Sequence, residues 1–468
     1  MDVLRRFFRF EDRGATFKNE ILGGLLTFFA TLYILPVESA MLGGVGFNAS
    51  GVFFATALST FAVSLLMGLF ANYPLLLSSG MGLNAFFAYT VVQNSGLSPA
   101  EGMILIAVAG LLYLVLTLTP VRRLLVGAIP GGLRAAITVG LGGFVLFVGL
   151  VNAGLVKDDP STLLALGDFS SPGVLLASFG ILLAFGLSAF KKVPILQKFA
   201  LPLALFITAV VGVVTSSILL SLGQESQGLP LAPWLDSTVS WGASGFEDVF
   251  FFGLFKEPLD WGSSFMNIFG KPDSYVAIFS IIFLSLFNAT ACLFATGKAA
   301  GLDLEGKDGK SYRRAMLVDG IASPLGGIIG TSSLTGFAES TVGISFGAKT
   351  GLSTLVAGLL FLLSGFLFPV FSVFSYSSVN AVALVYVGVF IMAGSIKEVA
   401  KEDGSALMAS LLTLMSMVLT YSLSSGMAIG TIAYVEMQLF EGKGKKISWA
   451  LYLLAALFVL SFALTALF

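Results

Sequence analysis

Gly330-Thr-Ser-Ser-Leu-Thr-Gly-Phe-Ala-Glu-Ser340 interrupts an otherwise apolar part of the chain with glycines, hydroxyl side chains and one carboxylate, Glu339. A charge at bilayer depth costs about 2.5–3.5 kcal/mol on insertion scales, so such a residue faces a cavity and serves a purpose there. Backbone that leaves helix geometry at that depth is tolerated where it lines a cavity or is buried in protein. Leu77-Ser-Ser-Gly-Met-Gly-Leu-Asn-Ala-Phe-Phe87 has the same character early in the chain. Two interrupted segments in corresponding halves mark the binding site of a secondary transporter.

Composition supports a membrane setting. Of 468 residues, 56% are hydrophobic and only 11% charged, about half the charge a soluble surface of this size needs. The formal net charge of −1 argues against nucleic acid as a partner. The chain has no histidine, which excludes a His-ligated metal site and leaves proton chemistry to carboxylates or water. One cysteine, Cys292, excludes an internal disulfide. No Ser/His/Asp set, phosphate-binding loop or Cys/His cluster is present, so neither an enzyme nor a cofactor is expected. The loop 301–309 carries carboxylates without the regularity of a calcium loop. The basic N-terminus, with Arg5, Arg6, Arg9 and Arg13, does not read as a signal peptide.

Apolar runs of spanning length fall at 21–43, 50–71, 100–119, 133–153, 172–190, 199–221, 275–297, 314–330, 350–375, 378–396 and 405–423. Residues 74–94 and 331–347 are the two broken segments, and 425–441 is a further run. This predicts an all-α polytopic membrane protein of about 14 transmembrane segments. The run 448–467 is an extra C-terminal hydrophobic helix or an interfacial one. Basic clusters at alternate connections place the N-terminal segment 1–20 in the cytoplasm. The long connection 222–273, poor in Lys and Arg and carrying Trp234, Trp241 and Trp261, is expected outside, with an interfacial helix around Gly245–Phe255 and solvated Asp248, Glu257 and Asp260. It divides the chain into halves of seven segments, each with its broken segment third. An odd count per half makes the second half run inverted to the first.

Within each broken segment the sequence predicts a short extended run, Leu75–Ser79 and Thr331–Thr335, leading into a half-helix, Met81–Val92 and Phe337–Ile344. Free N–H groups at half-helix N-termini hold polar ligand atoms. Asn84 and Glu339 are expected in the first turns of these half-helices, facing one pocket, with Gly82, Thr335, Phe337 and Phe86 beside them. An amide and a carboxylate with aromatic walls suit a planar heterocycle or another small polar solute. The corresponding packing reading, in which Gly and Ser only let helices approach, applies less well to two segments in matching order. Glu38 is a second intramembrane carboxylate, next to Pro36, which should kink the first span. Asp319 is expected near the cytoplasmic start of its span, in an ion pair with Arg313 or Arg314.

With these residues in place, the chain resembles the AzgA-like purine permeases, a branch of the nucleobase–cation symporters with the fold of uracil permease. The resemblance rests on Asn19-Glu-Ile-Leu-Gly-Gly-Leu-Leu-Thr-Phe28, Ser79-Gly-Met-Gly-Leu-Asn-Ala-Phe-Phe-Ala-Tyr-Thr90, Leu166-Gly-Asp168 within 160–172, Gly330-Thr-Ser-Ser333, Glu339-Ser340, Lys349-Thr-Gly-Leu352 and Leu419-Thr-Tyr-Ser422. It implies fourteen spans in two inverted sevens, a core domain (21–120 and 275–375), a gate domain (121–221 and 378–441) and a homodimer in the cell membrane. It also implies a nucleobase bound between the third, eighth and tenth spans by Asn84 and Glu339, carried with a proton or sodium.

Five residues, in three places, depart from the family pattern. The eighth span usually carries Asp-Leu-Phe-Asp-Thr, where this chain has Ser285-Leu-Phe-Asn288-Ala-Thr290, so Ser285 and Asn288 become neutral partners. The first span has Glu38 where the family has Asn, and Gly336 and Phe337 replace Thr and Tyr. One carboxylate is lost from the site and one gained, which suggests Glu38 and Glu339 as proton-coupling groups. A transporter or channel for a small anion on the same fold is the alternative.

Overall fold

The computed structural model describes residues 2–119, 122, 129–226, 228–235, 261–402 and 404–467. The expected helix around Gly245–Phe255, with Trp241, Asp248, Glu257 and Asp260, lies outside the described residues. Among the described residues, nine helices are long and apolar enough to cross a membrane. Gly309–Ile329 also has the length, but carries Lys310, Arg313, Arg314 and Asp319. The helices Gly404–Leu419 and Leu423–Phe440 and the two broken segments complete fourteen spans in two inverted sevens. A last helix, Trp449–Leu467, packs against Leu423–Phe440 and Pro272–Ala299, with Phe458 edge-on to Phe279 at 5.5 Å.

Local chemistry sets the breaks. Asn72, in left-handed geometry at φ 49°, ends the second span, and Pro74 follows it. Gly330, at φ 113°, ends the ninth, and the N–H groups of Gly330 and Thr331 both return to the Gly326 carbonyl. A residue with a Cβ is strained at that φ. Pro36 lacks an N–H, so the Leu32 carbonyl accepts from Leu35 instead. The first span therefore splits into Phe17–Thr31 and Ile34–Gly43, with the break at Leu32–Tyr33.

Strand β1 (Leu77–Ser79) pairs antiparallel with strand β4 (Leu334–Gly336) in the register Leu77↔Gly336, Ser78↔Thr335, Ser79↔Leu334. All six residues are buried. At that depth the two strands can satisfy their backbone groups only by pairing with each other. The second extended run thus lies three residues beyond its expected start, because Thr331 and Ser332 turn aside to bond Glu38. The half-helix after it begins later too, at Ser340, since Phe337–Glu339 form a turn. After β1, Met81–Ala85 is α-helical and continues in wider π-type turns over Phe86–Asn94, a form frequent at functional sites. A surface hairpin, β2 (Val156–Asp159) with β3 (Leu163–Leu166), follows the fifth span and was not expected from the sequence. Its turn is held by the Asp159 carboxylate, which accepts from the Ser161 hydroxyl and from the Thr162 and Ser161 amides and is thereby kept well below the usual carboxylate range.

Two groups of helices pack within themselves. Gly309–Ile329 lies on Pro99–Leu118, and Gly351–Ser364 on Phe17–Thr31 and Ala49–Leu65. Gly131–Asn152 lies on Ser377–Val399 and Gly404–Leu419, and Pro172–Ala189 on Ala200–Ser221. On one face the N-terminal segment is pinned to the first group. The Arg13 guanidinium, buried, donates to Asp308 Oδ1 at 2.9 Å, the Asn72 carbonyl at 2.7 Å and the Lys349 carbonyl at 3.1 Å. Burial lowers the Arg13 pKa, and Asp308 offsets part of that. Glu20 caps the helix Gly351–Ser364, accepting from the N–H groups of Lys349, Thr350 and Ser353.

Candidate functional site

A cavity of about 240 Å³ lies between the strand crossing and the fifth, eighth and twelfth spans. Gly82, Asn288, Thr335, Phe337 and Glu339 all line it, as do Tyr33, Phe287 and Cys292. Its wall continues to Ile137 and Ser395. These lie near the helix ends on the face that carries the N-terminus, given the alternation of the spans. A larger groove of about 350 Å³, between Phe279 and Phe458, is almost wholly apolar and cannot orient a polar solute.

The polar wall is preset. The Tyr33 hydroxyl donates to Glu339 Oε1 at 2.9 Å. Asn288 Nδ2 donates to Thr335 Oγ1 at 2.8 Å and to the Gly336 carbonyl at 3.3 Å. The Cys292 thiol lies 3.7 Å from Asn288 Oδ1. Glu339 is partly exposed into the cavity at the residue before the half-helix Ser340–Ser345, not inside its first turn. Gly82 seats closely on the fifth span: a Cβ there would lie 2.7 Å from Leu141 Cδ2.

Asn84 does not face this cavity. It is fully buried on the other side of the crossing, where its amide donates to Glu38 Oε2 and its carbonyl accepts from the Ser332 hydroxyl. Glu38 Oε1 also accepts from Thr331 Oγ1 at 2.8 Å and the Ser332 N–H at 3.1 Å. Thr331 in turn meets Thr56 at 2.8 Å. Glu38 and Asn84 thus tie the first span and both broken segments together. Phe86 and Ser285 are buried outside the cavity. Nothing in the hydropathy singled out Tyr33 or Cys292, although Pro36 marked the break at which Tyr33 sits.

Asp319 also differs from expectation. Its helix starts at Gly309, so the residue lies in mid-span rather than near the end. Its partner is the Tyr113 hydroxyl, at 2.6 Å from Oδ2, and not Arg313 or Arg314. Arg314 instead donates to the Phe70 carbonyl.

At the other end of the half-helix Met81–Asn94, Tyr421 packs edge-on against Tyr89, Phe144 and Phe147 at 6.1, 5.3 and 5.8 Å. Asn152 Nδ2 donates to the Tyr89 hydroxyl at 3.1 Å. This aromatic cluster joins the third and fifth segments to the turn before the fourteenth, on the face opposite the N-terminus.

The chain is similar to known permeases along nearly its whole length. It is 33% identical to the guanine/hypoxanthine permease PbuO of Bacillus subtilis, over 96% of this chain and 98% of that one. It is 33% identical to the adenine permease AdeP of Escherichia coli, over 98% and 95%. The fold resembles the transmembrane domain of a cyanobacterial bicarbonate transporter, BicA, with a TM-score of 0.60 at 16% identity, covering 87% of this chain and 96% of that one. It also resembles the murine solute carrier 26 family member A9 anion transporter, with a TM-score of 0.60 at 12% identity, covering 91% and 69%. At such identities the structural likeness concerns the fold. The model described as Permease family, Xan_ur_permease, matches residues 18–429, and the chain belongs to that family of membrane transporters.

Proposed function

We propose that this permease imports a purine nucleobase across the cell membrane, driven by the proton gradient, with its N-terminus in the cytoplasm. The observation that carries the reading is the Glu339 carboxylate, fixed by Tyr33 on the wall of a cavity that also presents Asn288 and Thr335. A carboxylate oxygen accepts from ring N–H or exocyclic NH₂ groups, and the Phe287 and Phe337 side chains supply apolar walls. At about 240 Å³ the space is below the roughly 300–1,000 Å³ of drug-sized ligand sites. That favours a single heterocycle over a nucleoside. The names of the relatives, guanine/hypoxanthine and adenine permeases, support a purine.

The alternating motion is a displacement of a core domain (21–120 and 275–375) against a gate domain (121–221 and 378–441), in a homodimer. The close seat of Gly82 on Leu141 gives the two groups a smooth contact beside the solute. The Tyr421 cluster closes the outer end while the cavity reaches the cytoplasmic face. Glu38, saturated by three donors, holds the crossing rigid, and solute recognition falls to Glu339.

Uptake of radiolabelled hypoxanthine, guanine and adenine into transporter-deficient vesicles, with and without a proton ionophore, tests the reading. Saturable, ionophore-sensitive uptake that is abolished in Glu339→Gln is the expected result. Sodium-dependent uptake insensitive to the ionophore would replace the proton, and chloride or sulfate flux without purine competition would overturn the substrate class.

A further inference from the structure

The helix Pro172–Ala189 turns an apolar face outward, with Leu182 72% exposed. Along that face runs a groove of about 500 Å³ whose walls include Phe179, Leu183, Gly186, Phe190 and Leu196, all apolar. Gly186 leaves it open, since a Cβ there would meet nothing within 4 Å. The short helix Pro194–Lys198 folds back against the end of Pro172–Ala189 and forms the second wall through Leu196. From Phe179 to Phe190 the groove follows about 16 Å of helix, which is one leaflet of a hydrocarbon core about 30 Å thick.

Charge gathers at one end of this groove. Lys191 and Lys192 stand in the chain between its wall residues Phe190 and Leu196, and both are exposed. Neither side chain has an ion pair or hydrogen bond among the described residues. The chain has no carboxylate between Asp168 and Glu225, so no acid along this stretch neutralises them. The same end lies on the face that carries the N-terminus. The next lysine, Lys198, donates to Ser345 Oγ at 2.6 Å, close in the chain to Lys349, whose carbonyl accepts from Arg13. Basic groups at the end of an apolar groove between membrane helices hold anionic lipid headgroups.

The short helix also joins this groove to the solute site. Leu196 closes the groove, and Lys198, on the same helix, sets its ammonium 4.5 Å from the centroid of the Phe346 ring. Ser345 and Phe346 end the half-helix that follows Glu339 and packs on Phe17–Thr31, in one group of helices. Pro172–Ala189 and Ala200–Ser221, which the short helix connects, pack on Ser377–Val399 in the other. Lys198 thus reaches from one group to the other.

We propose that this groove binds one phospholipid with an anionic headgroup. An acyl chain lies between Pro172–Ala189 and Pro194–Lys198, and the phosphate rests on Lys191 and Lys192. The bound lipid holds the short helix where Lys198 reaches Ser345. A second copy of the chain fits this groove less well, because a two-fold contact centred here would set Lys191 and Lys192 against the same two lysines.

The test uses the full chain, stripped of lipid in detergent, titrated with phosphatidylglycerol or phosphatidylcholine and weighed by native mass spectrometry. One phosphatidylglycerol per chain is expected to bind about thirtyfold more tightly than phosphatidylcholine, the effect of two lysines on an anionic headgroup. Lys191→Gln combined with Lys192→Gln should erase that preference. Gly186→Leu fills the groove and should remove tight binding although both lysines remain, whereas a free phosphate or loose surface attraction would be indifferent to it. Amide hydrogen exchange over residues 195–199 should slow when phosphatidylglycerol binds. Equal binding of the two lipids, a preference that survives loss of both lysines, or wild-type binding by Gly186→Leu overturns the site. Unchanged exchange over 195–199 with lipid bound places the lipid elsewhere and overturns it too. A dimer that forms without lipid and is lost in Gly186→Leu assigns the groove to a second copy instead.

Discussion

Tyr33 and Glu339 meet across the strand crossing, the phenol donating to Glu339 Oε1 at 2.9 Å from a position 306 residues earlier in the chain. The bond fixes the carboxylate that faces the cavity. It also depends on the break in the first span, because a continuous helix through Leu32–Tyr33 would present this side chain differently. Hydrogen bonds to charged groups contribute about 1.5–3 kcal/mol. Tyr33→Phe is therefore expected to raise the apparent KM for nucleobase uptake by about tenfold or more, with normal amounts of protein in the membrane. An unchanged KM would remove Tyr33 from the site.

Cys292 is the chain's single cysteine and lines the cavity. A small, membrane-permeant thiol reagent should label it slowly, since the residue is 7% exposed, and saturating nucleobase should slow the reaction further. The readout is mass addition on intact protein, with Cys292→Ala as the blank. Labelling that nucleobase leaves unaltered would place the solute elsewhere.

Gly82 bears on Leu141 so closely that a methyl group would come within 2.7 Å of Cδ2. The Leu141 tip can turn aside, so Gly82→Ala should fold with little change in Tm and yet transport several-fold more slowly. Leu141→Ala added to it should recover much of the rate, because the two sites share one contact. Additive losses in the double variant would argue against a sliding contact at this point.

Arg13 and Asp308 form a buried ion pair at 2.9 Å that ties the N-terminal segment to the ninth span. Asp308→Ala strands the guanidinium, whose pKa burial already lowers. Removing one partner of a buried pair costs about 3–5 kcal/mol. Thermal unfolding in detergent should show a clear fall in Tm. Replacing both residues with apolar ones of similar size should restore part of it.

Glu38 accepts from Asn84, Thr331 and the Ser332 N–H. Glu38→Gln turns one of these acceptors into a donor that faces another donor. The expected result is a loss of about 1–3 kcal/mol in stability with proton-driven uptake retained in the protein that folds. Loss of coupling at wild-type stability would return Glu38 to the role of proton carrier.

Much of this architecture is legible along the chain because hydropathy and backbone chemistry are local. A bilayer fixes span length, so the apolar runs and the two interruptions were readable before any contact was known. The odd number of spans per half followed from counting, and with it the inverted repeat. Gly330 and Pro36 marked breaks along the chain because their own backbone constraints act within a turn or two, whereas Asn72, which ends the second span at φ 49°, carried no such mark. The surface hairpin at Val156–Leu166 escaped notice: its residues carry no strong alternation, and its turn depends on the Asp159 side chain.

What the sequence determined alone is therefore the class of protein, the order of its spans and the two segments that hold the site. Which way each polar side chain points was decided only by the tertiary structure. Asn84, inside one half-helix, and Glu339, just before the other, each follow a strand of the crossing, yet one turns to Glu38 and the other to the cavity. Asp319 lies five residues from Arg314 but bonds Tyr113, 206 residues away. Inside a membrane a polar group must find a partner wherever the fold brings one. The nearest donor in space, not along the chain, settles its role.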